Sequence, residues 1–182
     1  MNLQDFLDKY KIKNLEDLVR EIQDKGKSLP VILVYQAAEY LNPNRDTTAA
    51  FYTDTMICQH IMGELPDFSD KRHIRILEPS VGAGNFIPFI AEKYKHIPIL
   101  EIYLIDIDKN ELKIAELIFE TYYREKYPNI AIMYINDDYL KFPISGKKFD
   151  LVIGNPPYTK VKDYQLVKEY KKQSGITKST NL

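Results

Sequence analysis

An amide, two rigid residues and an aromatic ring, Asn155-Pro156-Pro157-Tyr158, follow directly on Gly154 and the short, mostly apolar run from Phe149 to Ile153. An Asn side chain accepts through its oxygen. A residue that precedes proline is pushed into extended geometry, which aims its own carbonyl outward as a second acceptor. Two acceptors suit an amino group. Tyr158 adds a ring that can lie against a flat substrate, and stacking of a base on an aromatic side chain is worth about 1–3 kcal/mol. Flat and amino-bearing describes a nucleobase. The same four residues also suit a proline-terminated strand with an exposed turn, so their surroundings must separate the two readings.

Three other stretches place ligand-type residues at strand ends. Ile74-Arg75-Ile76-Leu77 reads as a strand that runs into Glu78-Pro79-Ser80-Val81-Gly82-Ala83-Gly84-Asn85-Phe86, and Ile87 to Tyr94 then reads as a helix. Gly82 and Gly84 remove side chains where a backbone must turn tightly or approach a ligand closely, as in nucleotide loops on doubly wound sheets. A second strand, Leu100 to Ile105, ends at Asp106-Ile107-Asp108. A carboxylate about twenty residues past a glycine loop is where such folds hold ribose hydroxyls, so Asp106 is assigned to the ribose. Asp108 with Glu111 reads as a capping box for a helix whose inner face carries Leu112, Ala115, Ile118 and Phe119. A third strand, Ile130 to Ile135, closes in Asn136-Asp137-Asp138-Tyr139, and Asp138 and Tyr139 would lie beside the previous strand's acid, against an adenine ring. Four strands, 74–78, 100–105, 130–135 and 150–154, thus each end in a candidate contact residue, and this joint pattern favours the nucleotide reading.

Residues 1–44 read as small helices. Leu3, Phe6, Leu7 and Tyr10 share one face; Asn14 caps a second helix carrying Leu15, Leu18, Val19 and Ile22; Gly26 ends it. Pro30 opens a third through Leu41, although Val31 to Tyr35 also suits a strand, and the segment reads as a packing appendage. Thr53 is a good N-cap for a helix with Met56, Ile57, Ile61 and Leu65 turned inward, and its hydroxyl with the free amides of a helix start could hold a carboxylate.

Composition bounds these readings without deciding them. The 182 residues are 45% hydrophobic and 28% charged, with a formal net charge of −1, so no global field draws in nucleic acid and any such contact relies on local basic patches. One cysteine, Cys58, permits no internal disulfide; the N-terminus lacks a basic, apolar leader, and the expectation is a cytoplasmic protein. The most apolar stretch, Ile97 to Ile105, is far shorter than the roughly 20 residues that span a bilayer, so no membrane segment is expected. His60, His73 and His96 are scattered, which gives no metal-ligand spacing and no nucleophile motif.

Taken together, residues 45 to 160 resemble the N-terminal part of S-adenosylmethionine-dependent adenine-N6 DNA methyltransferases with the gamma order of motifs, as found in restriction-modification systems. Phe51-Tyr52-Thr53 resembles the family's methionine-binding element, and Glu78-Pro79 with Gly82, Gly84 and Phe86 resembles its cofactor loop. Asp106-Ile107-Asp108 resembles its ribose motif, Asp138-Tyr139-Leu140 its adenine-contacting segment, and Asn155-Pro156-Pro157-Tyr158 its catalytic motif. The resemblance implies a Rossmann-like class I methyltransferase sheet of the α/β class, here partial with about four parallel strands, preceded by the N-terminal helical segment. It implies S-adenosylmethionine as methyl donor and double-stranded DNA as partner, with the target adenine flipped into the pocket. Tyr158 would stack on that base while Asn155 and the Pro156 carbonyl hold its amine.

Family members continue through further strands and a target-recognition domain. The expectation is therefore a truncated or split enzyme lacking its C-terminal half, with self-association through an open sheet edge. The tail, 161–182, is basic through Lys162, Lys168, Lys171, Lys172 and Lys178 and reads as a solvated helix face or a phosphate contact. Two other functions fit the motifs. Protein-glutamine N5-methyltransferases also hold a planar amide nitrogen with Asn-Pro-Pro-Tyr, and a noncatalytic cofactor-binding or assembly module would keep the fold without the chemistry.

Overall fold

Apolar runs bounded by turn residues give four parallel strands. The computed structural model describes residues 1–43, 53–142, 148–156 and 164–174; Phe51, Tyr52, Pro157 and Tyr158 lie outside them. Strands β1 (His73–Glu78), β2 (Ile99–Asp106), β3 (Ile130–Asn136) and β4 (Leu151–Val152) pair in the order β3-β2-β1-β4. All three ladders are parallel, with Ile76 opposite Ile102 and Leu151, and Leu104 opposite Tyr134. Parallel neighbours need crossover connections, and helices α5 (Ile87–Lys93) and α6 (Lys109–Tyr122) supply them for β1–β2 and β2–β3. Because the strands are parallel, the segments that follow β1, β2, β3 and β4 emerge on the same edge of the sheet.

The last strand is shorter than the sequence suggests. Only Leu151 and Val152 form the ladder, and Val152 is 55% exposed, so this run is not covered on both faces. Its register is instead held at both ends. The Asp150 carboxylate accepts from the Arg75 amide at 2.8 Å and pairs with Lys71, and the Ile153 amide donates to the Leu77 carbonyl at 2.9 Å. Among the described residues β4 forms one edge of the sheet.

Ahead of the sheet lie α1 (Leu3–Tyr10), α2 (Leu15–Lys25), a 3₁₀ turn (Gly26–Ser28) and α3 (Val31–Tyr40). Asn2 and Asn14 cap α1 and α2, each accepting from the amide three residues on at 2.9 Å. The Val31–Tyr35 ambiguity resolves as helix, with Val34, Tyr35, Ala37 and Ala38 buried. These helices have their own core around Phe6, Leu18, Ile22 and Val34, and that core includes Ala83 of the glycine loop and Ile114 and Ile118 of α6. Helix α6 is thereby apolar on two adjoining faces. Leu112, Ala115 and Phe119 pack in the sheet's core, while Ile114 and Ile118, one step round, meet the N-terminal helices.

Helix α4 (Thr55–Glu64) corrects two sequence expectations. Asp54, not Thr53, is its N-cap, accepting from the Met56 amide at 2.7 Å. The buried stripe is Cys58 and Met62 with Ile61 and Leu65 packed alongside, whereas Met56 and Ile57 are 77% and 53% exposed. The start of the helix at Thr55 sets that phase, because 58, 61, 62 and 65 are the positions that share a face. Helix α7 (Tyr164–Ser174) carries Lys168, Lys171 and Lys172 of the basic tail, but its Tyr170 is buried, so this helix is not wholly solvated; Lys162 and Lys178 lie outside the described residues. Among the described residues no helix is long and apolar enough to cross a membrane.

Candidate cofactor and catalytic site

The glycine loop between β1 and α5 is built from two differently used glycines. Gly84 has φ +87°, and a Cβ there would lie 2.6 Å from Ile87 Cδ1 and 3.1 Å from Ala115 Cβ, so its absence lets the loop seat on α6. Gly82 has φ +52°, and a Cβ there would meet nothing within 4 Å. Left-handed backbone facing open space is the arrangement a ligand uses when it must approach the chain closely. Phe86, grouped with this loop by sequence, is 2% exposed in the hydrophobic core and supports the loop from beneath.

Asp106 closes the loop onto the next strand. Its carboxylate accepts from the Gly82 amide at 2.8 Å and from the Asp108 amide at 2.9 Å, and burial raises its pKa above the ordinary carboxylate range. Asp108 caps α6 by accepting from the Asn110 amide at 2.8 Å. The expected capping box is incomplete: the Asp108 amide that Glu111 would have bound already donates to Asp106, and Glu111 turns inward to accept from Asn42 Nδ2. Burial, aided by the charges of Asp106 and Asp108, pushes the Glu111 carboxyl up to about 8. Ile107 is 66% exposed beside this acid.

Glu78 ends β1 at 1% exposure, and its Oε2 has no hydrogen-bond partner among the described residues. Burial first, then the Asp106 charge, raises its pKa well above the ordinary range. Ser80 Oγ and Asn85 Oδ1 on the same loop are buried and likewise unpartnered among the described residues. Buried polar atoms are normally satisfied, so three orphans on one loop are what a polar ligand would resolve.

Past β3, Asn136 Nδ2 donates to the carbonyls of Asp106 and Ile107 at 3.0 and 2.9 Å, tying this turn to the previous one. Asp138 follows, accepting from the Leu140 amide at 3.0 Å through Oδ1 and from the Tyr170 hydroxyl at 2.7 Å through Oδ2. Tyr139, next to it, is partly buried. Sequence reading missed Tyr170; its signal is the helical spacing of Leu166, Val167 and Tyr170.

The Asn155 motif meets the glycine loop directly. A Cβ on Gly154 would lie 3.1 Å from Pro79 Cδ, so Gly154 and Pro79 are in close contact and Asn155 emerges beside the loop. Asn155 Nδ2 donates to Thr53 Oγ1 at 3.2 Å, and Thr53 is buried. Pro156 is exposed. Residues from four chain regions thus converge on one edge of the sheet: Thr53, the 78–86 loop, Asp106 and Asn155.

The chain is 32% identical over 114 residues to the type II methyltransferase M.CvrRI of Paramecium bursaria Chlorella virus XZ-6E, covering 63% of this chain and 25% of that protein. It is 29% identical over 108 residues to the modification methylase CviBIII of Paramecium bursaria Chlorella virus NC1A, covering 59% of this chain and 25% of the relative. The chain therefore spans about a quarter of the length of these relatives. No protein-family model matches it. Among solved structures, one assigned to the class I S-adenosylmethionine-dependent methyltransferases, from Listeria monocytogenes, superposes with a TM-score of 0.53 at 14% identity, covering 92% of this chain and 45% of that one. The fold is the class I methyltransferase fold. Within that methyltransferase fold the glycine loop, Asp106 and the turn after β3 occupy successive strand ends, the edge at which doubly wound sheets bind their ligands.

Proposed function

We propose that this chain carries the cofactor loop and amine-binding motif of a methyltransferase that acts on the exocyclic N6 of a flipped-out adenine in DNA, in a restriction-modification system. The observation that carries the reading is the seating of Gly154-Asn155 on Pro79 and Thr53, which brings an amine-accepting amide to the edge of the glycine loop. Descriptions of the two viral relatives as a modification methylase and a type II methyltransferase support DNA as the substrate.

The residues present fit S-adenosylmethionine. Glu78 offers a buried, unsatisfied carboxyl oxygen to an ammonium group, and Gly82 leaves room for close approach. Asp106 would hold the ribose hydroxyls and Thr53 the amino-acid carboxylate, while Asp138 and Tyr139 would border the adenine beside Ile107. Pro79, Gly84 and Phe86 shape the loop. The cofactor supplies an electrophilic methyl group on a sulfonium sulfur.

Asn155 and the Pro156 carbonyl would accept the two N–H groups of the substrate amine, drawing its lone pair out of ring conjugation and aiming it at that methyl. Pro157 would keep the turn rigid and Tyr158 would stack on the extruded base, which requires a few kcal/mol of unstacking. Acceptors placed where positive charge develops on nitrogen supply the catalysis, together with orientation, and no covalent enzyme intermediate is needed. Such a reaction belongs in the compartment that holds DNA.

Calorimetric titration of S-adenosylmethionine into the chain, beside an Asp106→Ala variant, tests the cofactor half. Saturable binding that weakens at least tenfold in the variant is expected. A folded wild-type chain that does not bind would overturn the assignment. Transfer of labelled methyl to duplex DNA rather than to a glutamine-bearing peptide tests the substrate, and label appearing only in the peptide would reassign it.

A further inference from the structure

Thr53 reaches across the structure to Asn155. Its hydroxyl accepts from Asn155 Nδ2 at 3.2 Å, across a sequence separation of 102 residues. The threonine itself is held firmly. It is 8% exposed, and its carbonyl receives the thiol of the fully buried Cys58 at 3.7 Å. Asp54 takes the capping role on α4, so the Thr53 side chain is not spent on the helix start. On the other side, Asn155 is fixed through Gly154 against Pro79 and through the Ile153 amide on Leu77.

A hydroxyl has one donor and two acceptor sites, so accepting from Asn155 leaves the Thr53 proton able to donate elsewhere. Hydrogen bonds in a chain polarise one another, and a hydroxyl that donates to a carboxylate becomes a stronger acceptor. From this geometry we infer that Thr53 is a positioning residue: its hydroxyl commits the N–H end of the Asn155 amide, so that the oxygen end serves the substrate amine. Donation to the carboxylate of the cofactor's amino acid tightens that arrangement. The inference rests on the functional reading above. Its consequence is ordered chemistry, in which the amine acceptor is best aligned only when a methyl donor is bound.

The test reads the Asn155 side-chain amide pair by ¹H–¹⁵N NMR on the full chain, assigned by its loss in Asn155→Ser. Without ligand, Thr53→Val is expected to move the pair and Thr53→Ser to leave it close to wild type. Adding S-adenosylmethionine should shift the pair in wild type and in Thr53→Ser but not in Thr53→Val. 5′-Methylthioadenosine, which keeps the nucleoside and lacks the amino acid, should shift the Gly82 and Asp108 backbone amides while leaving the Asn155 pair in place. A pair that ignores Thr53→Val in the absence of ligand overturns the positioning role. Equal responses in wild type and Thr53→Val, or an equal response to the two nucleosides, overturn the coupling. If S-adenosylmethionine shifts no wild-type resonance, the cofactor reading fails and the coupling fails with it, while the ligand-free comparison still decides whether Thr53 orients Asn155.

Discussion

Glu78 and Glu111 are both buried carboxyls near Asp106, yet they differ in what they lack. Glu111 has Asn42 as donor, whereas Glu78 Oε2 has no partner among the described residues. An ammonium group beside Glu78 should favour the ionised carboxylate that burial disfavours. S-Adenosylmethionine binding near pH 7 is therefore expected to release a proton, visible as a dependence of binding enthalpy on buffer ionisation, and Glu78→Gln should abolish the release; equal release in the variant would refute this role. Glu111 predicts a stability effect instead. Its folded pKa of about 8 lies above the unfolded value of 4.5, so the folded state holds the proton more tightly. The stabilising contribution is full below about pH 4.5 and is lost as pH rises through about 8. Glu111→Gln should thus be the more alkali-resistant protein, with urea midpoints of the two converging at acidic pH and diverging upward.

At the scale of elements, the glycine loop separates architecture from function. Gly84→Ala must displace Ile87 and Ala115 as well as accept a left-handed backbone, and it is expected to destabilise the fold by about 2–4 kcal/mol. Gly82→Ala faces open space and should cost only about 1–2 kcal/mol in denaturant titration, yet weaken cofactor binding at least tenfold. If both variants lose only stability, Gly82 has no ligand role. The apolar runs and punctuation of the sequence made β1, β2, β3 and their connecting helices legible, because parallel strands and tight turns impose strong local patterns, whereas β4, expected over 150–154, forms only Leu151–Val152. Less legible were features set by partners distant in sequence. Thr53 looked like a cap until Asp54 took that place, and Glu111 looked like a capping-box acid although Asp106 already held the amide it needed. Tyr170 carried a helical spacing but nothing that named Asp138 as its acceptor.

For the molecule as a whole, the N-terminal helices and the sheet share a wall. Ala83, Ile114 and Ile118 belong to the helical core, while Leu112 and Ala115 on the same α6 belong to the sheet's. Ile118→Ala, at a fully buried position, should cost about 2–5 kcal/mol. Circular dichroism and tyrosine fluorescence should report one coincident urea transition, and two separated transitions would mean that the cores are independent. Pairing of β4 with β1 has a different consequence, one of timing. Ladders β1–β2 and β2–β3 close over single helical crossovers, whereas Leu77 and Val152 come from positions roughly 75 residues apart, a larger entropic cost of loop closure. The chain should therefore complete its glycine-loop edge early and dock the Asn155 strand late. In pulse-labelling hydrogen exchange during refolding, the amides of β1 and β2 would gain protection ahead of Ile153, leaving an interval in which the glycine-loop edge is already built while Asn155 has yet to dock beside it.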